Sequence, residues 1–219
     1  SNIGKLLNYF IFSNPSSNAI RNRGKIVQGL IQQKLYFAQT LEVTEIACGP
    51  ARDVEDMMNR LPKNLKNKRI HWKLIDKDKQ ALAYARQNIP RREDVILNFI
   101  AGGIVDIINR NVPLIQQDII YSLGLLDYLE DKIAIKLLKS LYKSLKPGGT
   151  LLMGNFSRHH SLQLLMEVFS NWKLIYREEE QLFALGKEAA PQGRHFVMAE
   201  PEGINLILVT SKPAVENRS

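Results

Sequence analysis

Thr44-Glu45-Ile46-Ala47-Cys48-Gly49-Pro50-Ala51-Arg52-Asp53 is the stretch whose reading decides the fold. It finishes a short apolar strand, Leu41-Glu42-Val43-Thr44-Glu45-Ile46-Ala47, turns at Gly49 and runs into a helix over residues 54–61. Gly49 is open to φ values closed to other residues, and the small Ala47 and Ala51 let a ligand approach the backbone. The helix that starts near Asp53 aims its free N–H groups at the turn. Strand, tight turn and helix in this order form the unit of a parallel α/β sheet, which binds ligands at the carboxyl ends of its strands.

The same alternation continues downstream. RIHWKLID (69–76) reads as a second strand, and Asp78 caps a helix that stops at Pro90. VILNFI (95–100) and DIIYSL (118–123) read as a third and a fourth strand. An amphipathic helix over 130–145 ends at the stop Lys146-Pro147-Gly148-Gly149, and TLLMGNF (150–156) is a fifth strand. Helices are expected over 161–169 and 178–186, with WKLIYR (172–177) extended between them. RHFVMAEPEG (194–203) and INLILVTSK (204–212) have no helix between them, so the sheet ends in an antiparallel hairpin. Upstream, helices over 3–11 and from Ser16 or Ser17 to about Ala38 fall outside the alternation and read as a cap over the strand ends. The expected fold is a Rossmann-like three-layer α/β/α sandwich with a mostly parallel seven-stranded sheet. Its expected division is a helical cap over 1–38 and a main domain over 39–213, together one structural unit.

The 219 residues suffice for a sizeable core, and no apolar run approaches the length of a membrane span. No signal-peptide pattern opens the sequence. The single Cys48 excludes an intrachain disulfide framework and points to a reducing, cytoplasmic setting. A net charge of +8 leaves a polyanion partner open. The basic residues are dispersed, however, in clusters at Lys63, Lys66, Lys68 and Arg69, at Arg91 and Arg92, and at Lys139, Lys143 and Lys146, so a solvated surface is the favoured reading. His71, His159, His160 and His195 show no metal-ligand spacing, so no metal is expected.

Asp76 ends the second strand, where a carboxylate accepts hydrogen bonds from a ribose diol. A pyrophosphate loop would carry G-x-G-x-x-G; this one has alanines in place of glycines and Glu45 just upstream. A carboxylate there repels phosphates and attracts a cation, which fits a cofactor with an adenosine, an amino group and no phosphate. S-adenosylmethionine has that chemistry. TEIACGPARD resembles the first motif of class I S-adenosylmethionine-dependent methyltransferases, and WKLIDKDKQALAYAR resembles their second. QDIIYSLGLLDYLED and LYKSLKPGGTLLMGNF are similar to their fourth-strand and fifth-strand blocks. The resemblance runs from about residue 40 to 212, with Ala47 and Ala51 as departures in the loop. More narrowly, NRGKIV, IYSLGLLDYL, WKLIYREEEQLFAL and EGINLIL resemble bacterial proteins for biosynthesis of the extracellular factor 3-hydroxypalmitic acid methyl ester.

The resemblance implies that Glu45 and the backbone of Ala47, Cys48 and Gly49 hold the methionine portion, with Arg23 on its carboxylate. Asp76 would bind the ribose. Lys77 would flank the adenine, with Phe99, Ile100, Ala101 and Gly102 on the turn beside it. Ser122 and Leu123 would border the sulfonium, and S-adenosylhomocysteine would be the product. Methyl transfer from an activated sulfonium rests on proximity and orientation, and a carboxylate acceptor needs no base. Tyr128, Asp127 and His159 are the catalytic candidates, with Tyr121, Asn155 and His160 near them and Tyr176 and Arg177 able to orient an acidic substrate. Cys48 fits an inert, buried cysteine better than a nucleophile. The expected reaction is methyl transfer to a small molecule, such as the carboxylate of a hydroxy fatty acid. The alternatives are an RNA or protein methyltransferase, a binder without turnover, and an NAD-dependent oxidoreductase. The last is disfavoured by the missing glycines and by Glu45.

Overall fold

The computed structural model describes residues 15–62, 65, 67–158 and 174–215. The helices expected over 3–11 and 161–169 lie outside the described residues. The elements run α1 (Pro15–Phe37), β1 (Thr40–Ile46), α2 (Arg52–Arg60), β2 (Arg69–Asp76), α3 (Lys79–Asn88), β3 (Val95–Ala101), α4 (Ile104–Ile108) and β4 (Gln117–Ser122). A 3-10 turn (Leu126–Tyr128), α5 (Asp131–Lys143), β5 (Leu145–Phe156), α6 (Glu179–Ala189), β6 (Arg194–Ala199) and β7 (Asn205–Ser211) complete the chain. The strands form one seven-stranded sheet in the order β3-β2-β1-β4-β5-β7-β6. β7 is antiparallel to both β5 and β6, and the other pairings are parallel.

Successive side chains on a strand face opposite sides of the sheet, so each inner strand feeds two cores. On one side Val43, Leu74, Trp72, Ile119 and Val209 pack against Val27 and Ile31 of α1 and Val54 and Met57 of α2. On the other side Ile46, Ile75, Ile120 and Met153 meet Leu137 and Leu141 of α5 and Leu182 of α6. Helices therefore cover both faces, the three-layer arrangement expected. Asp78 caps α3 by accepting from the Gln80 and Ala81 amides at 2.8 and 3.2 Å.

Two elements differ from expectation. Helix α5 ends at Lys143, and the KPGG segment is drawn into the start of β5, where the β4 pairing shifts register between Leu145 and Thr150. Gly149 permits that bulge, since a Cβ there would sit 2.8 Å from the Gln117 carbonyl oxygen. Helix α1 is more than a cap over strand ends. Val27, Ile31 and Leu35 are buried with Leu152, Ile207 and Val209 on the sheet face, while Ala19 reaches Phe156 and Ile204 near the carboxyl edge. The apolar spacing of α1 is what places it there, because a stripe that wide has to be covered.

Candidate functional site

Strand order reverses between β1 and β4, and the crevice opens at their carboxyl ends. The loop after β1 holds left-handed backbone at three alternate positions, Ala47 (φ 53°), Gly49 (φ 54°) and Ala51 (φ 49°). Two of them are alanines, so this loop carries backbone strain that glycine would avoid. A Cβ on Gly49 would meet nothing within 4 Å, so glycine is needed there for its φ and not for space. Cys48 N donates to Ile75 O at 3.2 Å and Ala51 N to Cys48 O at 2.9 Å, tying the loop to β2 and closing its turn. No side chain caps α2 at Ala51.

Asp76, at the end of β2, takes Gly49 N on one oxygen at 2.6 Å and Asp78 N on the other at 2.8 Å. Each carboxylate oxygen keeps a lone pair for a further donor. Gly102 N donates to Asp76 O at 2.9 Å, which sets Ala101 and Gly102 beside it at the edge. Lys77 is exposed there and lies near Gly103. Ile100 packs into the core on the α5 side. Phe99 is half-buried, with its ring 5.1 Å from the Arg86 guanidinium.

A cavity of about 730 Å³ separates α1 from the loop and is lined by Arg23, Glu45, Ala47, Gly49, Asp53 and Leu123, among others. Glu45 is buried, and its Oε2 has no hydrogen-bond partner among the described residues. Burial, reinforced by Asp53, holds the Glu45 carboxyl well above the usual carboxylate range. Burial also raises Asp53, against the hydrogen bond its Oδ2 accepts from Tyr121 Oη at 3.2 Å. Arg23 donates to the Leu123 carbonyl and, at 3.3 Å, to Asn205 Oδ1. Burial lowers the Arg23 pKa while Asp127, Asp53 and Glu45 counter it. Ser122 is buried and its Oγ is likewise without a partner among the described residues. Burial pushes the Cys48 thiol up, the opposite of what a nucleophile needs.

The remaining candidates separate by burial. Tyr128 is exposed on the 3-10 turn that follows β4. Asp127 is buried beside it; its Oδ1 accepts from Phe156 N at 2.7 Å, and burial raises its pKa to about 6. Tyr121 is fully buried against Trp72, below the crevice and not at its mouth. Arg177 is also misplaced for a substrate. Its five N–H groups go to Asp131 Oδ1, Leu126 O, Asn155 Oδ1 and Leu129 O, with Asp131 taking two of them. That saturates a guanidinium, so Arg177 and Asn155 clamp the 3-10 turn and leave nothing for an acidic ligand. His159 and His160 lie outside the described residues. Sequence reasoning missed Asp53 and Asn205 as members of the site. Asp53 was read only as the start of a helix, and its approach to a tyrosine on β4 was not visible.

Residues 44–151 match the sequence family described as "Methyltransferase domain". No curated protein matches the chain. Among solved structures, the chain is similar to a possible exported protein from Bordetella parapertussis at 19% identity and a TM-score of 0.71, over 94% of this chain and 72% of that one. It is similar to magnesium protoporphyrin IX methyltransferase from Synechocystis, solved with bound S-adenosylhomocysteine, at 10% identity and a TM-score of 0.65, over 96% and 94% of the two chains. It is also similar to the N-methyltransferase NodS of Bradyrhizobium japonicum, in complex with the same ligand, at 16% identity and a TM-score of 0.58, over 92% and 89%. At these identities the likeness speaks for the fold.

Proposed function

We propose that the chain transfers a methyl group from S-adenosylmethionine to a small-molecule acid, of the hydroxy fatty acid class to which the narrower sequence resemblance points. The observation that carries the cofactor assignment is the buried Glu45, a residue of the cavity wall whose Oε2 has no hydrogen-bond partner among the described residues. A buried carboxyl oxygen without a donor calls for one, and the ammonium of the methionine portion supplies it. Arg23 faces the same cavity and offers the methionine carboxylate a cation, while Asp76 offers two oxygens to the ribose. Lys77, Ala101 and Gly102 border the adenine, and Ser122 and Leu123 the sulfonium.

The donor carries the leaving group, so the protein's work is to align the acceptor oxygen with the methyl carbon and to keep water out. Tyr128 is the described side chain we assign to the acceptor. Asp127 acts as a positioning residue that ties the 3-10 turn to the end of β5. An ionised carboxylate acceptor brings its own electron pair, and no proton has to move. No described helix is long and apolar enough to cross a membrane, and we place the reaction in the cytoplasm.

Calorimetry tests the cofactor: S-adenosylhomocysteine should bind, NADH should not, and Asp76→Ala should weaken binding more than about tenfold, as expected for losing two charge-assisted hydrogen bonds. NADH binding without S-adenosylhomocysteine binding would sink the assignment. Labelled S-adenosylmethionine incubated with a fractionated lysate tests the acceptor. Label should enter acidic small molecules or lipids, and label in RNA would favour a nucleic-acid methyltransferase instead.

A further inference from the structure

Two carboxyl groups from different elements converge on one phenol. β1 sets Glu45 beside Tyr121 of β4 in the sheet register, and the first turn of α2 brings Asp53 to the Tyr121 hydroxyl. The close approach of α1 packs this cluster, since a Cβ on Gly24 would lie 3.3 Å from Asp53 Cβ. A phenol has a single O–H. Tyr121 directs it to Asp53 Oδ2, which leaves it unavailable to Glu45, the neighbour of Tyr121 across the β1–β4 pairing, and Glu45 Oε2 has no hydrogen-bond partner among the described residues. Two ionised carboxylates in one poorly solvated place repel each other, and one of them takes up a proton. The cation nearest them, Arg23, spends hydrogen bonds on the neutral Leu123 carbonyl and Asn205 amide.

We propose that Glu45 and Asp53 hold one proton between them in the ligand-free protein and release it when the ammonium end of the cofactor enters, which makes Asp53 a second anionic member of the site. This rests on the assignment of the cavity to the methionine portion of S-adenosylmethionine. The balance is simple: the neutral acid and its carboxylate partner plus the ligand ammonium give two carboxylates facing the ammonium, and one proton passes to the buffer. The raised pKa values of both carboxyls agree with it. The other groups that face the pair are Arg23 from α1, Tyr121 from β4 and Cys48 from the loop. Asp127 and Tyr128 of the 3-10 turn act on it through Arg23. Burial puts the thiol and the phenol further from their charged forms, so neither supplies the proton near neutrality.

Calorimetric titration of the whole protein with S-adenosylhomocysteine in phosphate and in Tris, two buffers of different ionisation enthalpy, reads the proton directly. The binding enthalpy should differ between the buffers. Affinity should rise by up to about tenfold from about pH 6 to about pH 7, the limit for one proton released. Methylthioadenosine, which lacks the amino-acid end, should bind with the same enthalpy in both buffers. Asp53→Asn, checked for folding by circular dichroism, should flatten the pH dependence and remove the buffer dependence; Tyr121→Phe should reduce both. Binding of S-adenosylhomocysteine with a buffer-independent enthalpy overturns the proposal, as does equal proton release with methylthioadenosine or in Asp53→Asn. No binding of S-adenosylhomocysteine at all overturns the cofactor assignment and this inference with it. If Asp53→Asn fails to fold, the two buffers and the two ligands on the unaltered protein still decide.

Discussion

Single residues in this site carry strain and charge whose signs can be worked out. Ala47 sits at φ 53°, where a Cβ crowds the following carbonyl at a cost of roughly 1–2 kcal/mol. Glycine removes the clash but loses more chain entropy on folding, by about 0.4–1 kcal/mol. Ala47→Gly should therefore stabilise the protein by about 0.5–1 kcal/mol in urea denaturation, and a loss of stability would show that the Ala47 methyl packs productively. Asp127 works in the opposite direction. Its folded pKa of about 6 lies above the ordinary 3.8, so the native state binds the extra proton between those values and stability falls as pH rises through the window. Below both values nothing is lost, and above about 6 the loss is complete, on the order of 2–3 kcal/mol. Asp127→Asn keeps an oxygen for Phe156 N and removes the titration. Denaturation at about pH 4 and about pH 7.5 should show the variant gaining on the original at the higher pH. The reverse trend would mean that Asp127 is ionised and well paired with Arg23. At this scale the sequence exposed Glu45 and Asp76 through their positions at the carboxyl ends of strands, which are local. The saturation of Arg177 was hidden, because its partners Leu126, Leu129, Asp131 and Asn155 come from other elements.

Elements hold the site by how closely they approach. At Gly154 on β5, a Cβ would stand 2.7 Å from the Leu123 carbonyl oxygen, the same oxygen that accepts from Arg23. Gly154→Ala must therefore push the end of β4 away from β5 and move the Leu123 acceptor. We expect a loss of about 1–3 kcal/mol of stability, typical of overpacking. S-adenosylhomocysteine affinity should fall with it, because Arg23 loses the oxygen that aims it. Unchanged affinity in a destabilised variant would separate the β4 end from the cofactor site. Strand and helix existence was readable from period and capping residues such as Asp78, whose bonds span two or three positions. The KPGG bulge was not, since it depends on how β5 registers against Gln117 of a separate strand.

Over the whole molecule, the question is whether the segment up to about residue 38 is an accessory or part of the fold. Sequence alone favoured a cap, because α1 precedes the alternation of strands and helices. The structure gives α1 two attachments. Val27, Ile31 and Leu35 are buried on the sheet face with residues of β5 and β7, and Lys34 Nζ donates to Gly148 O at 2.8 Å. At the other end Arg23 reaches Asn205 Oδ1, at the start of β7, at 3.3 Å, and Asn22 reaches Glu200 Oε2, in the turn between β6 and β7, at 3.2 Å. Deleting residues up to 38 would expose the apolar face that β4, β5 and β7 share, and each large side chain uncovered costs roughly 1.5–3 kcal/mol. Three such contacts are comparable with the whole stability of an ordinary domain. The shortened chain should therefore be insoluble, or bind a hydrophobic dye without a cooperative unfolding transition. A true cap would leave a folded, soluble remainder that unfolds cooperatively and has lost only its affinity for S-adenosylhomocysteine. Thermal unfolding and dye binding on the shortened chain distinguish the two, and the burial of Val27 and Ile31 is the reason to expect the first.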